Sequence, residues 1–385
     1  MTLKYNNTLI TQIYLVSLVI ILLNLVTSND NIISVEYQKV VDRISYGIKM
    51  KERPFLTVYA SIDMQDTHSY YSECENITKI LGEVSVMIYK EEVPCTIYQT
   101  ELELNENDSL NFKHYYPNIR MNRIGLEKGV GFGFEISTND SFISQLKAQN
   151  KIDKVIFSIV PKTNSKGLIY LGGLPEKIAE NKSFAICKVI EENMAWGCQL
   201  NSIMFQTKNW NINRFPINQY GYFQSSGGFV MIPKWFAQYL NETFFNQYLE
   251  NKKCKYHIPF LNYYNFECNC DVFDNYLSIS FVFDNYHFNF SLSQVVAKYQ
   301  NRCDLLLYYL EENEDKWVFG SEFLINYIST FDSDNKQIIF YSNSTFQYDN
   351  NLKIIEKNCQ ILLIFLMIIG LINVFLFIYS KEKII

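Results

Sequence analysis

The same local pattern occurs twice in this chain, about 160 residues apart, and it limits the folds that the chain can adopt. An apolar strand pattern, FLTVYASID, ends at Asp63, and a second one, GYFQ, ends at Gln224. A polar turn and another apolar stretch follow each strand. Since a chain of 385 residues exceeds what one hydrophobic core usually organises, we expect two lobes with a cleft between them.

The side-chain composition indicates what those lobes are built from. The sequence has 28 Tyr and 29 Phe, which are residue types that favour strands. Apolar residues at helical spacing occur in two short segments, 141–151 and 233–249. The sequence therefore predicts an all-β fold in the broad sense, mostly β with a few short helices. The formal net charge of -6 argues against nucleic acid as the main partner.

An apolar segment near the amino terminus, residues 10–26, follows a lysine and ends in small residues. This pattern is typical of a secretory signal peptide that is cleaved near Ser28, so residues 1–28 are assigned to it. An uncleaved membrane anchor is the alternative, although two amide side chains interrupt the apolar run.

A second apolar segment, residues 361–378, carries no charge over 18 residues. Its length predicts a transmembrane helix at 361–379. A polar stalk at 343–360 precedes this helix, and a cytosolic tail at 380–385 follows it. The two segments together predict type I topology, with a lumenal or extracellular body and the membrane as a partner through one helix.

The tail contains Lys381 and Lys383, five and three places from the carboxyl end of the sequence. This spacing resembles the dilysine signal by which coat proteins return membrane proteins to the endoplasmic reticulum. A plain positive-inside cluster is the alternative, since any two lysines serve that purpose. The expected localisation is therefore a membrane of the secretory pathway.

Nine cysteines are consistent with an oxidising compartment, because eight lie in the body and one, Cys359, lies beside the predicted membrane helix. The sequence alone does not fix how they pair. No metal site or cofactor is expected, since the four His form no HExxH pattern. Order along the chain suggests four disulfides: Cys74–Cys95, Cys187–Cys198, Cys254–Cys268 and Cys270–Cys303.

Glycosylation sequons agree with a lumenal body, although an Asn-rich chain produces some of them by chance. They lie at Asn76, Asn107, Asn139, Asn181, Asn241, Asn289 and Asn343.

The order of several landmarks resembles that of the pepsin family of aspartic endopeptidases. The most specific landmark is WVFGSEFLINYISTFD at 317–332, which is similar to the family's Trp-x-x-Gly strand, short helix and Tyr-x-x-x-Phe-Asp hairpin. The resemblance covers roughly residues 35–342. It implies a bilobal acid-protease fold, with an amino-terminal lobe at 29–177, a carboxy-terminal lobe at 178–342, and a polypeptide substrate or peptide ligand in the cleft between them.

Family chemistry uses two aspartates, one per lobe, each in an Asp-Thr/Ser-Gly turn. Two carboxylates about 3 Å apart cannot both ionise, so one holds a proton while the other activates water. The first motif falls on Asp63, followed by Met64 and Gln65. A shifted motif beginning at Asp66 is the alternative, but counting back from Cys74 favours Asp63.

The second motif falls on Gln224, Ser225 and Ser226, so the acid itself is replaced. No Asp or Glu lies between Gly197 and Leu240, which means that no shift of register restores it. Glutamine has no titratable proton and cannot take either role.

A hairpin flap over the cleft should carry a Tyr. In this chain the resemblance places Lys79 at that Tyr and Ile80 at the adjacent Gly, and it retains Gly82. Lys79 could pair with Asp63 across the cleft, although a solvated lysine is the commoner case.

Three hypotheses follow from these residues. The first is a catalytically impaired or inactive pepsin-like protein that keeps the fold and binds peptides. The second is an active aspartic endopeptidase with unusual motifs, using Asp63 with Asp66 or another partner. The third is a different hydrolase using Ser225 or Ser226, for which no nucleophile-elbow pattern is present.

Overall fold

Strands make up most of the computed structural model, which describes residues 31–40, 43–50, 53–63, 79–88, 91–105, 108–117, 129–131, 141–189, 196–207, 212–225, 228–260, 263–310 and 315–348. Within these ranges the strands form two sheets of 12 strands each. Helices are few and short. The prediction of a mostly β fold with a few short helices is confirmed.

The first sheet contains the first ten strands of the chain and two strands that come much later. Its strands are β1 Ile33–Val40, β2 Arg43–Met50, β3 Arg53–Asp63, β4 Lys79–Ile88, β5 Glu91–Asn105, β6 Asp108–Pro117, β7 Gly129–Gly131, β8 Ile156–Pro161, β9 Lys166–Leu171, β10 Ser183–Lys188, β22 Ile328–Asp332 and β23 Gln337–Ser342.

The second sheet contains the remaining strands, all from the carboxy-terminal half. They are β11 Gly197–Thr207, β12 Ile212–Phe223, β13 Val230–Ile232, β14 Cys254–Phe260, β15 Tyr263–Asn269, β16 Tyr276–Phe283, β17 Tyr286–Ser291, β18 Val296–Tyr299, β19 Arg302–Leu305, β20 Leu307–Leu310, β21 Trp317–Phe319 and β24 Gln347–Tyr348.

Two helices begin near the starts of the segments that have apolar residues at helical spacing. Helix Phe142–Ala148 follows Ser141, whose hydroxyl accepts a hydrogen bond from Ser144 N. Helix Lys234–Leu240 follows Pro233, whose φ of -63° suits a helix start. The remaining helical segments are Glu176–Ala179, the π-helical turn Asn241–Phe245, Asn246–Glu250, the 3₁₀ segment Cys270–Asn275, Leu292–Val295 and Ser321–Leu324.

Strands from distant parts of the chain meet in the first sheet. β8 pairs with β9 on one side and with β22 on the other, and β23 joins β22 to β10. Phe157 on β8 stacks on Phe331 of β22 with ring centroids 4.7 Å apart, and Trp196 packs edge-on against both rings. This buried aromatic cluster joins the two halves of the sequence.

The fold continues slightly past residue 342, the predicted end of the second lobe. Strand β24 pairs with β17 through Tyr348 and Tyr286. Phe346 packs on Phe288 and Tyr327, with ring centroids 5.1 and 5.8 Å away. The first residues of the predicted stalk at 343–360 therefore belong to the second sheet, because an apolar ring among them is drawn onto the core.

The predicted signal peptide at 1–28 and the predicted membrane helix at 361–379 both lie outside the described residues. Among the residues that the structure does describe, no helix is long and apolar enough to cross a membrane.

Candidate active site

The turn after β12 carries Gln224. Strand β21 runs parallel to β12, and Phe223 at the end of β12 is level with Phe319. The backbone N–H of Gln224 extends this pairing by donating to Phe319 O at 3.0 Å. Gln224 is therefore level with Gly320, the residue that follows β21.

Beyond this turn the chain returns along the opposite side of β21 as β13. Val230 is the antiparallel partner of Phe319. The N–H of Gly320 donates to Phe229 O at 3.0 Å, which fixes the far side of the turn. Strand β21 thus lies between β12 and β13, and the turn crosses from one side of it to the other.

Aromatic packing holds the strand end that precedes Gln224. The Phe223 side chain is fully buried. Its ring centroid lies 5.3 to 5.7 Å from four other Phe rings. Those rings belong to Phe283, Phe319, Phe323 and Phe340. The turn is therefore mounted on a rigid apolar base, as a catalytic loop requires.

The turn residues differ in exposure. Gln224 is half-buried, whereas Ser225 is 1 % exposed. The Ser225 hydroxyl has no hydrogen-bond partner among the described residues, which is an unusual state for a buried polar group. Ser226, the third residue of the predicted motif, lies outside the described residues.

An equivalent arrangement occurs at the end of β3 in the first sheet. Strand β7 runs parallel to β3, and its register places Ile62 level with Val130 and Asp63 level with Gly131. The residues after Asp63, including the predicted motif positions Met64 and Gln65, lie outside the described residues.

The two strand ends match position by position. Asp63 lies beside Gly131, the last residue of the segment Gly129-Val130-Gly131. Gln224 lies beside Gly320, the last residue of the segment Val318-Phe319-Gly320. In each sheet the supporting strand is parallel and short. The internal repeat that the sequence indicated is therefore present as repeated backbone pairing.

A comparison with protein families agrees with this arrangement. The family model for eukaryotic aspartyl proteases matches residues 124–342, more than half of the chain. The chain belongs to the eukaryotic aspartyl protease family. The matched region contains the Gln224 turn and β21, and it begins after Asp63.

Aspartyl proteases cover their cleft with a hairpin, and β4 and β5 form a hairpin here. Ile88 and Glu91 are the last paired residues at one end of this hairpin. Lys79 is exposed and pairs with Gln99 at the opposite end of the hairpin, and a bulge lies between Ile80 and Gly82. The assignment of Lys79 and Gly82 to the flap stays a prediction.

Aspartyl protease chemistry requires a proton shared between two carboxyl groups. Glutamine at 224 supplies a neutral amide, which donates and accepts hydrogen bonds but neither takes nor releases a proton. Of the residues at the two predicted motif positions, Asp63 and Gln224, only Asp63 is an acid. At the predicted second motif position, a glutamine would supply polar contacts without a proton carrier.

Two predicted disulfides of the aspartyl protease domain are formed. Cys254–Cys268 links β14 to β15, and Cys270–Cys303 links the segment after β15 to β19. These bonds agree with an oxidising compartment.

The predicted Cys187–Cys198 disulfide is not formed. Cys187 and Cys198 are buried thiols that hydrogen-bond to each other. Burial raises the pKa of both thiols, which disfavours the thiolate that disulfide formation needs. Cys95 is also a buried thiol, and its predicted partner Cys74 lies outside the described residues.

Sequence reasoning missed one cluster of ionisable side chains in the second sheet. His257, Glu267 and Asp304 come from three different strands and converge on one sheet face. No local motif joins them, because they are 10 and 37 residues apart in sequence. Only strand register brings them together.

Proposed function

We propose that this chain is a membrane-anchored member of the eukaryotic aspartyl protease family that binds extended polypeptides and is catalytically impaired or inactive. The observation that carries this proposal is the position of Gln224. It stands beside Gly320 in the second sheet as Asp63 stands beside Gly131 in the first. A glutamine at that place removes one of the two acids that the reaction needs.

The peptide-binding part of the proposal is supported by what the chain retains. The strand, the turn and the buried Phe223 that support the second motif are kept, although the acid is not. Extended peptides bind such clefts largely through backbone hydrogen bonds, which need no catalytic acid.

The catalytic part is tested by proteolysis with the purified full-length protein. A denatured protein is offered between pH 3 and 7, with and without a statine-type transition-state mimic. We expect no inhibitor-sensitive cleavage at any pH, and the same background from the Asp63→Asn variant. Inhibitor-sensitive cleavage by the wild type that disappears in Asp63→Asn establishes an active endopeptidase instead.

Peptide binding is measured separately, by fluorescence anisotropy of a labelled unfolded polypeptide. Binding without cleavage is the expected result. Absence of both binding and cleavage overturns the role in peptide recognition and leaves only the family fold.

Anchoring in a secretory-pathway membrane is supported by the apolar segment at 361–378 and by the two disulfides. Alkaline carbonate extraction should leave the wild-type chain in the membrane pellet. A chain truncated after Tyr348, the last described residue, should be found in the soluble fraction. Release of the wild type by carbonate contradicts the anchor.

A further inference from the structure

Three potential metal ligands lie on one face of the second sheet, on the adjacent strands β14, β15 and β19. Glu267 and Asp304 are directly opposite each other. Lys255 is the residue opposite Glu267 on β14, so His257, two residues further along β14, lies diagonal to Glu267. One ligand atom from each of the three side chains lies within 4.8 Å of the others. The cluster is separate from the strand ends that carry Asp63 and Gln224.

The distances in this cluster suit a small ion. His257 Nδ1 lies 3.5 Å from Asp304 Oδ2 and 3.9 Å from Glu267 Oε2. Ligand atoms around a tetrahedral ion at about 2 Å are separated by about 3.3 Å. Small side-chain rotations are therefore enough to reach that geometry.

Two neighbouring cationic side chains contact one carboxylate oxygen of Glu267. Lys255 Nζ and Arg302 Nε both lie 3.2 Å from Glu267 Oε1. Glu267 is thereby oriented with Oε2 toward His257. Glu267 and Asp304 are opposite each other on paired strands, an arrangement in which two carboxylates repel.

Buried acceptors without partners point independently to a missing ligand. Asp304 is 8 % exposed, and its Oδ1 has no hydrogen-bond partner among the described residues. Asn265, directly opposite His257 and 1 % exposed, also has an unpartnered Oδ1 in the described part of the chain. A cation bound between the three side chains would give the buried Asp304 carboxylate a partner.

The cluster stands on a cross-linked scaffold. Cys268 is opposite both Cys254 and Cys303 in the strand register, and it is bonded to Cys254. The Cys270–Cys303 bond ties β19 to the same region. Glu267 and Asp304 each adjoin one of these cysteines in sequence. Their backbones are therefore held in place before any ion arrives, which a metal site requires.

We propose that His257, Glu267 and Asp304 form a binding site for one divalent transition-metal ion, with zinc preferred. One imidazole nitrogen and two carboxylates suit zinc, whereas calcium and magnesium prefer all-oxygen sites. Three protein ligands leave a fourth position, which opens into a surface groove bordered by Lys298 and Tyr299. The proposal does not depend on whether the aspartyl protease site is active.

Isothermal titration of the chelator-treated full-length protein with zinc tests the site. We expect one zinc per chain for the wild type, and affinity weakened by more than about 10-fold in His257→Ala and in Asp304→Asn. Asp271→Asn is the matched control, because Asp271 is an exposed carboxylate of the same region that pairs with Lys253. It should bind zinc as the wild type does.

Two further measurements keep the outcome independent of variant folding. Zinc should raise the Tm of the wild type and of Asp271→Asn, and leave the Tm of His257→Ala unchanged. Cobalt in the wild type should give visible absorption bands of a low-symmetry nitrogen and oxygen site. The proposal is overturned if the wild type binds no zinc, if calcium binds in its place, or if His257→Ala and Asp304→Asn bind zinc normally.

Discussion

The end of β3 and the end of β12 share one backbone plan and differ in one chemical group. Each strand ends beside a parallel supporting strand, level with a glycine. At the first end the residue is Asp63, and at the second it is Gln224. A change from carboxyl to amide alters proton chemistry but hardly alters shape. The fold of a site can therefore persist after the reaction it served has been lost.

We expect stability to depend most on the aromatic packing around Phe223, at the end of β12. Replacing Phe223 by Ala removes a fully buried ring that contacts four others, and should lower the free energy of unfolding by about 3–5 kcal/mol. Urea denaturation measures this. Phe184→Ala, at a ring that is 54 % exposed, should change it by less than about 0.5 kcal/mol. Equal effects of the two variants contradict this account of the core.

The stability of the protein should also depend on pH, because His114 is buried in the first sheet. Burial lowers the pKa of His114 to about 4 from its ordinary value of 6.5. The unfolded chain binds the proton more readily between these values, so the folded state loses stability as the pH falls from 6.5 to 4. The loss should be on the order of 3 kcal/mol.

His114→Gln should flatten this pH dependence, whatever its effect on stability at pH 7. Thermal unfolding of both proteins at intervals from pH 4 to pH 7 provides the measurement. A slope that is unchanged in the variant shows that His114 is not the group responsible.

Restoring the missing acid makes the two strand ends chemically alike. If Gln224 alone limits catalysis, Gln224→Asp should raise cleavage of a denatured protein at acid pH by about 100-fold or more, or about 2.7 kcal/mol of barrier. The double variant Asp63→Asn with Gln224→Asp should lose the gain. A folded Gln224→Asp variant without added activity shows that other parts of the cleft have also diverged.

The smallest expected effect concerns Ser225, whose buried hydroxyl has no partner among the described residues. Ser225→Ala should leave the free energy of unfolding unchanged or raise it by up to about 1 kcal/mol. Ser158→Ala is the contrast, since the Ser158 hydroxyl is buried and lies 2.8 Å from Thr330 Oγ1. It should lower stability by about 1 kcal/mol, and denaturant titration distinguishes the two.

Local patterns in the sequence predicted much of this fold. The helix after Ser141, the helix after Pro233 and the strands ending at Asp63 and Phe223 all depend on signals within a few residues. Capping, periodicity and turn chemistry act over that range. The strand that leads into each turn was also visible, because it is continuous in sequence, whereas the supporting strands β7 and β21 come much later in the chain.

Features that depend on strand register were not predictable from the sequence. The cluster of His257, Glu267 and Asp304 exists only because β15 pairs with both β14 and β19. A one-residue change of either pairing would turn a ligand to the other face. The order of the cysteines predicted a Cys187–Cys198 disulfide, and the structure has instead two buried thiols that hydrogen-bond to each other.

The place of β22 and β23 in the first sheet has a consequence for biosynthesis. β8 and β10 must wait for strands that are translated much later, β22 and β23, before their edges are covered. During that interval the nascent amino-terminal half exposes unpaired strand edges, which are sites of aggregation. We expect the chain to fold late in synthesis and to depend on chaperones that bind such edges until residue 342 has emerged.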